Sequence, residues 1–267
     1  MSVPLYLVDA FADAPFGGNS AAVCLLTGPA DAAWMQALAA ELRQPATAFV
    51  WPAGDGYGLR WFVAAAELRL CGHGTLATAH VLWESGALPP SEPARFETAS
   101  GSLAARRVGD LIALDFPAEP VQPAVPPSSL LEALRVEPRA VLRGSLDYLM
   151  ELGSEADVRA LSPDFASLRR VETRGVIVTA PAQTAGYDCV SRFFAPSVGL
   201  DEDAVTGSAH CAIGPYWGER LGKTTLRAYQ ASARGGALRV RLDGSRVELA
   251  GHAVTVLRGS LLAAPPT

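Results

Sequence analysis

The chain reads as a mixed α+β protein built twice on one plan, each half a sheet wrapped around a central helix. Three observations predict this. Short runs rich in β-branched and aromatic residues, bounded by Gly, Asn and Asp turns, fill most of both halves. Residues 72–85 and 207–221 are apolar almost all round, and each run stops at a glycine, Gly86 or Gly222. Between the halves, residues 117–127 carry Pro117, Pro120, Pro123, Pro126 and Pro127, the composition of a stiff linker. The expected domains are therefore 1–118 and 119–267, with terminal strands free to cross from one to the other.

Taken in order, residues 4–8 and 21–26 read as strands joined by an irregular loop through Gly17, Gly18 and Asn19. Trp34, Leu38 and Leu42 recur at helical spacing after Asp31, an N-cap residue, and Pro45 ends the run, which predicts a helix over 32–42. Residues 47–51 and 59–63 bracket the glycine-rich turn 54–58 as strands. The helix over 72–85 has almost no charged face to give to water, so it is expected to be enclosed. Strands at 95–98, 103–108 and 111–116 would help to enclose it. In the second half, helices near 129–134 and 163–170 and strands near 140–142, 147–151, 175–179 and 187–194 lead to the second apolar helix. Strands at 226–231, 237–242, 246–250 and 252–258 follow it.

The chain has 267 residues, of which 49% are hydrophobic and 18% charged, enough for a sizeable core. A net charge of −5, with both signs mixed along the chain, lacks the basic footprint of a nucleic-acid or membrane-surface binder. No basic segment followed by an apolar run opens the sequence, and no long apolar stretch interrupts it, so the expected location is cytoplasmic. Cys24, Cys71, Cys189 and Cys211 are scattered in apolar surroundings and read as reduced. His73, His80, His210 and His252 form no metal-ligand pattern, so no metal is expected.

The two apolar helices open on segments of similar grammar, Cys71-Gly72-His73-Gly74-Thr75 and Asp203-Ala204-Val205-Thr206-Gly207-Ser208. A small-residue helix start presents unpaired N–H groups and the positive end of the helix dipole, which suits a substrate carboxylate. Gly72, Gly74, Thr75, Gly207 and Ser208 are the expected binding positions, and a small carboxylated metabolite the expected partner. His73 can exchange protons near neutral pH, and Asp203 supplies a second acid/base. Should the halves face one another, both starts would line one cleft. Each residue also has a plainer reading: His73 as a buried histidine bonded to backbone, Asp203 as a helix N-cap.

Four stretches, VDAFADAPFGGNSAAV, CGHGTLATAHVLW, RFFAPSVGLDEDAVTGSAHCAIGPYW and AYQASARGG, resemble the PhzF family of phenazine-biosynthesis isomerases over nearly the whole chain. The resemblance implies a diaminopimelate-epimerase-like fold. In it two similar domains, each a curved sheet or barrel around a central helix, enclose an active site in the interdomain cleft without cofactor or metal. It also implies a homodimer and an acid/base hydrogen shift on trans-2,3-dihydro-3-hydroxyanthranilate or a related compound. His73 and Asp203 match family active-site positions. The two helix starts would hold the carboxylate, with Asn19 and Gln44 as further substrate-binding groups.

At one position the chain departs from that family. Where the family carries a catalytic glutamate, the segment Arg43-Gln44-Pro45-Ala46-Thr47 places Ala46. An alanine transfers no proton, and losing a positioned general acid/base costs about 10²–10⁴-fold. Glu41 and Glu67 are the nearest carboxylates in sequence, and Gln44 can orient substrate but not act as a base. Two other readings stay open: a protein that keeps the pocket but serves as a metabolite-binding or partner-binding module, and an amino-acid epimerase or racemase. The latter would use Cys71 opposite a second thiol, but Ala204 stands at the second place.

Overall fold

The computed structural model describes residues 2–263 and 265. It divides into two compact units, Met1–Asp115 with Ala250–Thr267, and Phe116–Leu249. The first runs through β1 (Val3–Ala10), β2 (Asn19–Leu25), α1 (Ala32–Leu42), β3 (Thr47–Ala53), β4 (Gly56–Phe62), β5 (Glu67–Leu68), α2 (Gly72–Glu84), β6 (Ala94–Thr98), β7 (Gly101–Val108) and most of β8 (Leu111–Pro117). The second continues with β9 (Gln122–Pro123), α3 (Ser128–Leu134), β10 (Ala140–Arg143), β11 (Asp147–Glu151), α4 (Glu155–Ala160), α5 (Phe165–Leu168), β12 (Gly175–Pro181) and β13 (Cys189–Ala195). A 3-10 turn (Pro196–Val198), β14 (Leu200–Asp203), α6 (Gly207–Leu221), β15 (Thr225–Gln230), β16 (Gly236–Asp243) and β17 (Arg246–Gly251) follow. The chain then returns to the first unit as β18 (Ala253–Leu261). The expected mixed α+β class is what forms.

In the first unit β1 pairs antiparallel with both β2 and β18, and β2 runs parallel to β3. β3 pairs antiparallel with β4, β4 parallel with β6, and β6 and β7 continue as an antiparallel meander into β8. This curved sheet packs on α2 through β1, β2, β3, β7 and β18. Every α2 residue from Gly74 to Trp83 except His80 is buried, as a helix without a polar face requires. Its two threonines satisfy their hydroxyls locally: Thr75 and Thr78 each donate to the carbonyl four residues back, both at 2.7 Å. On the other face of β3, α1 covers a smaller cluster of Met35, Ala39, Phe49 and Phe62. Its start is fixed by Asp31, whose carboxylate accepts from the N–H groups of Ala33 and Trp34 at 2.9 and 3.1 Å.

In the second unit β10 pairs with β9 and β11, β11 runs parallel to β12, β12 antiparallel to β13, and β13 parallel to β15, which is antiparallel to β16. Leu130, Leu134, Met150, Val158, Val176 and Phe194 form its core. The long helix α6 packs on β11, β15 and β16. It runs through Pro215, which cannot donate to the carbonyl of Cys211. The proline-rich segment supplies the missing donor, since Glu119 N–H bonds to that carbonyl at 3.0 Å. Among the described residues no helix is long and apolar enough to cross a membrane.

Among the elements that differ from the sequence expectation, three matter here. Helix α4 is absent from it because six residues hold fewer than two turns and leave no period to detect. The helix expected over 163–170 shrinks to four residues. Strand β14, Leu-Asp-Glu-Asp, has little β-propensity. It is held against β13 by the pairing Phe193↔Asp203 and by a two-point ion pair of Arg192 with Glu202 at 2.7 and 2.8 Å.

The loop between β1 and β2 turns at Gly18, with φ +60°, and a Cβ there would lie 2.2 Å from the carbonyl oxygen of Ala10. Gly18→Ala is therefore expected to lower stability by at least about 2 kcal/mol, since both the left-handed backbone and the backbone contact oppose a side chain. Urea unfolding of the variant checks this, and a change within ±0.5 kcal/mol would contradict it.

Candidate functional site

In the first unit the chain enters α2 from Cys71, whose backbone is extended and whose side chain makes no capping hydrogen bond. Gly74 is required by close approach, because a Cβ there would meet the Trp61 ring at 2.8 Å and Cys71 Sγ at 2.9 Å. Trp61, directly opposite Ala48 on β4, thus lies against the first turn of the helix. The half-buried His73 has Asn19 Nδ2 at 3.4 Å from its Nδ1. The Asn19 amide thus bonds to the Nδ1 edge of the ring and orients it. Cys71 Sγ lies 3.6 Å from Nδ1 and 3.8 Å from Nε2. Asn19, His73 and Cys71 therefore form one cluster.

Gln44 is held nearby in the chain rather than left loose. Its Oε1 accepts from the Ser20 hydroxyl and its Nε2 donates to the Leu42 carbonyl, both at 3.1 Å. Thr75 gives both its N–H, at 2.9 Å, and its hydroxyl, at 2.7 Å, to the carbonyl of Cys71, so it fixes the helix start. Ala46 is fully buried, and its carbonyl accepts from Ala22 N–H at 2.9 Å. By the two-residue alternation of a strand it is in phase with Ala48, away from the Phe49 face that α1 covers. Glu67 is engaged by Arg60 through two hydrogen bonds of 2.7 Å, which hold its carboxyl below the ordinary range and make it a weaker base. Glu41 sits exposed in the last turn of α1.

In the second unit Asp203 is the last residue of β14, and the N-cap of α6 is Thr206. The N-cap reading of Asp203 is thereby corrected: three residues, Ala204 to Thr206, separate the end of the strand from the first residue of the helix. The hydroxyl of Thr206 donates to Asp203 Oδ2 at 2.7 Å. Gly207 is buried and Ser208 exposed, and no side chain caps the start of α6. The Ser208 hydroxyl lies 3.1 Å from the guanidinium of Arg174, which also grips Asp147 through two hydrogen bonds. Arg174 brings a cation to the helix start, a contribution that sequence reasoning missed. It precedes β12 in an unremarkable loop, 34 residues from Ser208, and no local pattern marks it. His210, one turn into α6, is fully buried, and burial pushes its pKa down to about 4, partly opposed by its hydrogen bond to the Thr206 carbonyl. The ring is neutral at physiological pH and donates from Nδ1 to that carbonyl at 2.8 Å.

Helices α1, α4 and α5 begin under the side chains of Asp31, Ser154 and Asp164. The two longest, α2 and α6, do not, and each opens instead beside a titratable group. Uncapped first-turn N–H groups can bind an oxyanion, and a neighbouring imidazole or carboxylate can move a proton. Among the described residues no group of three or more His, Cys, Asp or Glu side chains is placed to hold a metal ion.

Comparison with known proteins gives a consistent result. The family model described as phenazine biosynthesis-like protein matches residues 8–259. An uncharacterised isomerase of Halalkalibacterium halodurans is 49% identical across 98% of this chain and 99% of its own length. The crystal structure of a PhzF-family phenazine biosynthesis protein from Enterococcus faecalis superimposes with a TM-score of 0.94 at 39% identity, covering 98% of this chain and 100% of that one. A predicted epimerase from Pseudomonas aeruginosa shares the fold with a TM-score of 0.75 at 23% identity, over 98% of this chain and 100% of that one.

Proposed function

Since the chain belongs to the PhzF family of phenazine-biosynthesis-like proteins, we propose that it is an isomerase shifting a proton on a small carboxylated metabolite without a cofactor. His73 and Asp203 are its proton-transfer groups in this reading. The supporting observation is the pair of long helices that start without side-chain caps, each beside one of these groups. In the proposed chemistry the first-turn N–H groups hold the carboxylate, with Arg174 and the Ser208 hydroxyl assisting at α6. The imidazole of His73, set by Asn19, exchanges one proton, and Asp203, set by Thr206, exchanges the other.

The substrate proposed is trans-2,3-dihydro-3-hydroxyanthranilate or a close relative. Incubation in D2O with that compound and with a panel of small amino and hydroxy acids, followed by proton NMR, tests the reading. Deuterium is expected to enter one of them at a carbon next to the rearranging bond. Ala46 favours a second reading, a binding protein that keeps the pocket without the reaction. Ligand-dependent thermal stabilisation with no exchange into any compound, and exchange of dihydrohydroxyanthranilate by Ala46→Glu alone, would decide for it.

A further inference from the structure

We infer that Thr206 and Gln230 form a buried relay that sets the carboxylate of Asp203, making both of them positioning residues; this rests on the proposed acid/base role of Asp203. The Gln230 side chain is fully buried at the end of β15. Its Oε1 accepts from Thr206 N–H at 2.8 Å. Its Nε2 donates to the Asp203 carbonyl at 2.8 Å and to the Thr206 hydroxyl at 3.1 Å. That hydroxyl in turn donates to Asp203 Oδ2 at 2.7 Å. The donors therefore run in one direction, from amide to hydroxyl to carboxylate, and each bond polarises the next.

The bonding of Thr206 shows what this arrangement is for. Threonine at an N-cap normally accepts from the first turn of its own helix. Here the side chain of Thr206 makes no such bond. Its N–H goes to Gln230, its carbonyl to His210, and its hydroxyl to Asp203. One residue thus gives up capping and is fixed from three sides, and the same diversion keeps the first-turn N–H groups of α6 clear of a side-chain cap. Gln230 holds both ends of the Asp203–Thr206 turn, so the carboxylate has its backbone and its side chain set by the same buried amide. A mispositioned proton-transfer group loses rate without losing substrate, and a displacement of about 1 Å costs on the order of 10²-fold.

Two measurements test the relay. In the first, wild type, Thr206→Val, Thr206→Ser, Gln230→Leu and Asp203→Asn are assayed with dihydrohydroxyanthranilate in D2O. The expected result is a roughly 10- to 100-fold loss of kcat in Thr206→Val and Gln230→Leu with KM little changed, and recovery in Thr206→Ser, which restores the hydroxyl. In the second, crystal structures of wild type and Thr206→Val are compared. The Asp203 carboxylate is expected to leave its wild-type rotamer, a readout that needs no turnover. A retained rotamer, or full kcat in Thr206→Val beside an inactive Asp203→Asn, overturns the relay and leaves the acid/base reading standing. Full turnover by Asp203→Asn overturns the acid/base reading itself, whatever the rotamer does.

Discussion

Replacing His73 by Ala, or Asp203 by Asn, is expected to cut the rate of proton exchange into substrate by about 10²–10⁴-fold while the protein stays folded. The size follows from the groups that remain. Ala46 carries no proton, Glu67 is tied to Arg60, and Glu41 points to solvent from α1. None of these three positions can take over from His73, so loss of the imidazole is expected to fall directly on the reaction. The fold survives because neither side chain fills a core. His73 is half-buried at the first turn, and the helix behind it is held by the packing of Leu76, Ala79 and Leu82. Asp203→Asn keeps the size and an acceptor for Thr206, so the bond to that hydroxyl persists. Proton NMR in D2O gives the rate and circular dichroism melting the fold. Unchanged exchange in both variants would remove these residues from the chemistry.

What could be read from the sequence was what is encoded locally. Asp31 capping α1, and Gly222 at φ +63° closing α6, mark helix ends within a few residues of themselves, and both were legible. The burial of α2 was legible too, since a helix lacking a charged face has nowhere else to go. His73 and Asp203 stand out through the motifs that contain them. Their side-chain partnerships do not: Gln230 reaches Thr206 across 24 residues, Arg174 reaches Ser208 across 34, and Asn19 reaches His73 across 54. Such pairs exist only once strands have registered, and no period or cap announces them. Strand β14 fails for a related reason, because Asp and Glu are poor strand formers and Leu200–Asp203 is held extended by tertiary contacts, the pairing with β13 and the ion pair with Arg192. The Asp203 carboxylate was thus findable by type, while the helix cap beside it had to be seen.

Glu155→Gln is expected to destabilise the protein by about 3 kcal/mol at pH 7, the largest stability effect among these substitutions, with a cost that shrinks in acid. Glu155 opens α4 and is almost completely buried. Burial alone would raise its pKa, but the hydrogen bonds outweigh it and bring the value from 4.5 down to about 2. The Thr184 hydroxyl donates at 2.6 Å, Thr184 N–H at 2.8 Å, Gln183 N–H at 2.6 Å and Arg159 Nε at 2.8 Å. A carboxylate can accept all four, whereas a glutamine must turn its NH2 toward donors and leave some unpaired. The sign is fixed by the depressed folded value. The stabilisation is fully present above the unfolded pKa of 4.5 and is lost as pH falls from there toward 2. Urea unfolding of wild type and variant at pH 7, 4 and 3 should therefore give a difference that narrows at each step. A difference that stays constant across that range would mean the charge of Glu155 is not what stabilises the α4 start, and that the contacts act through shape alone.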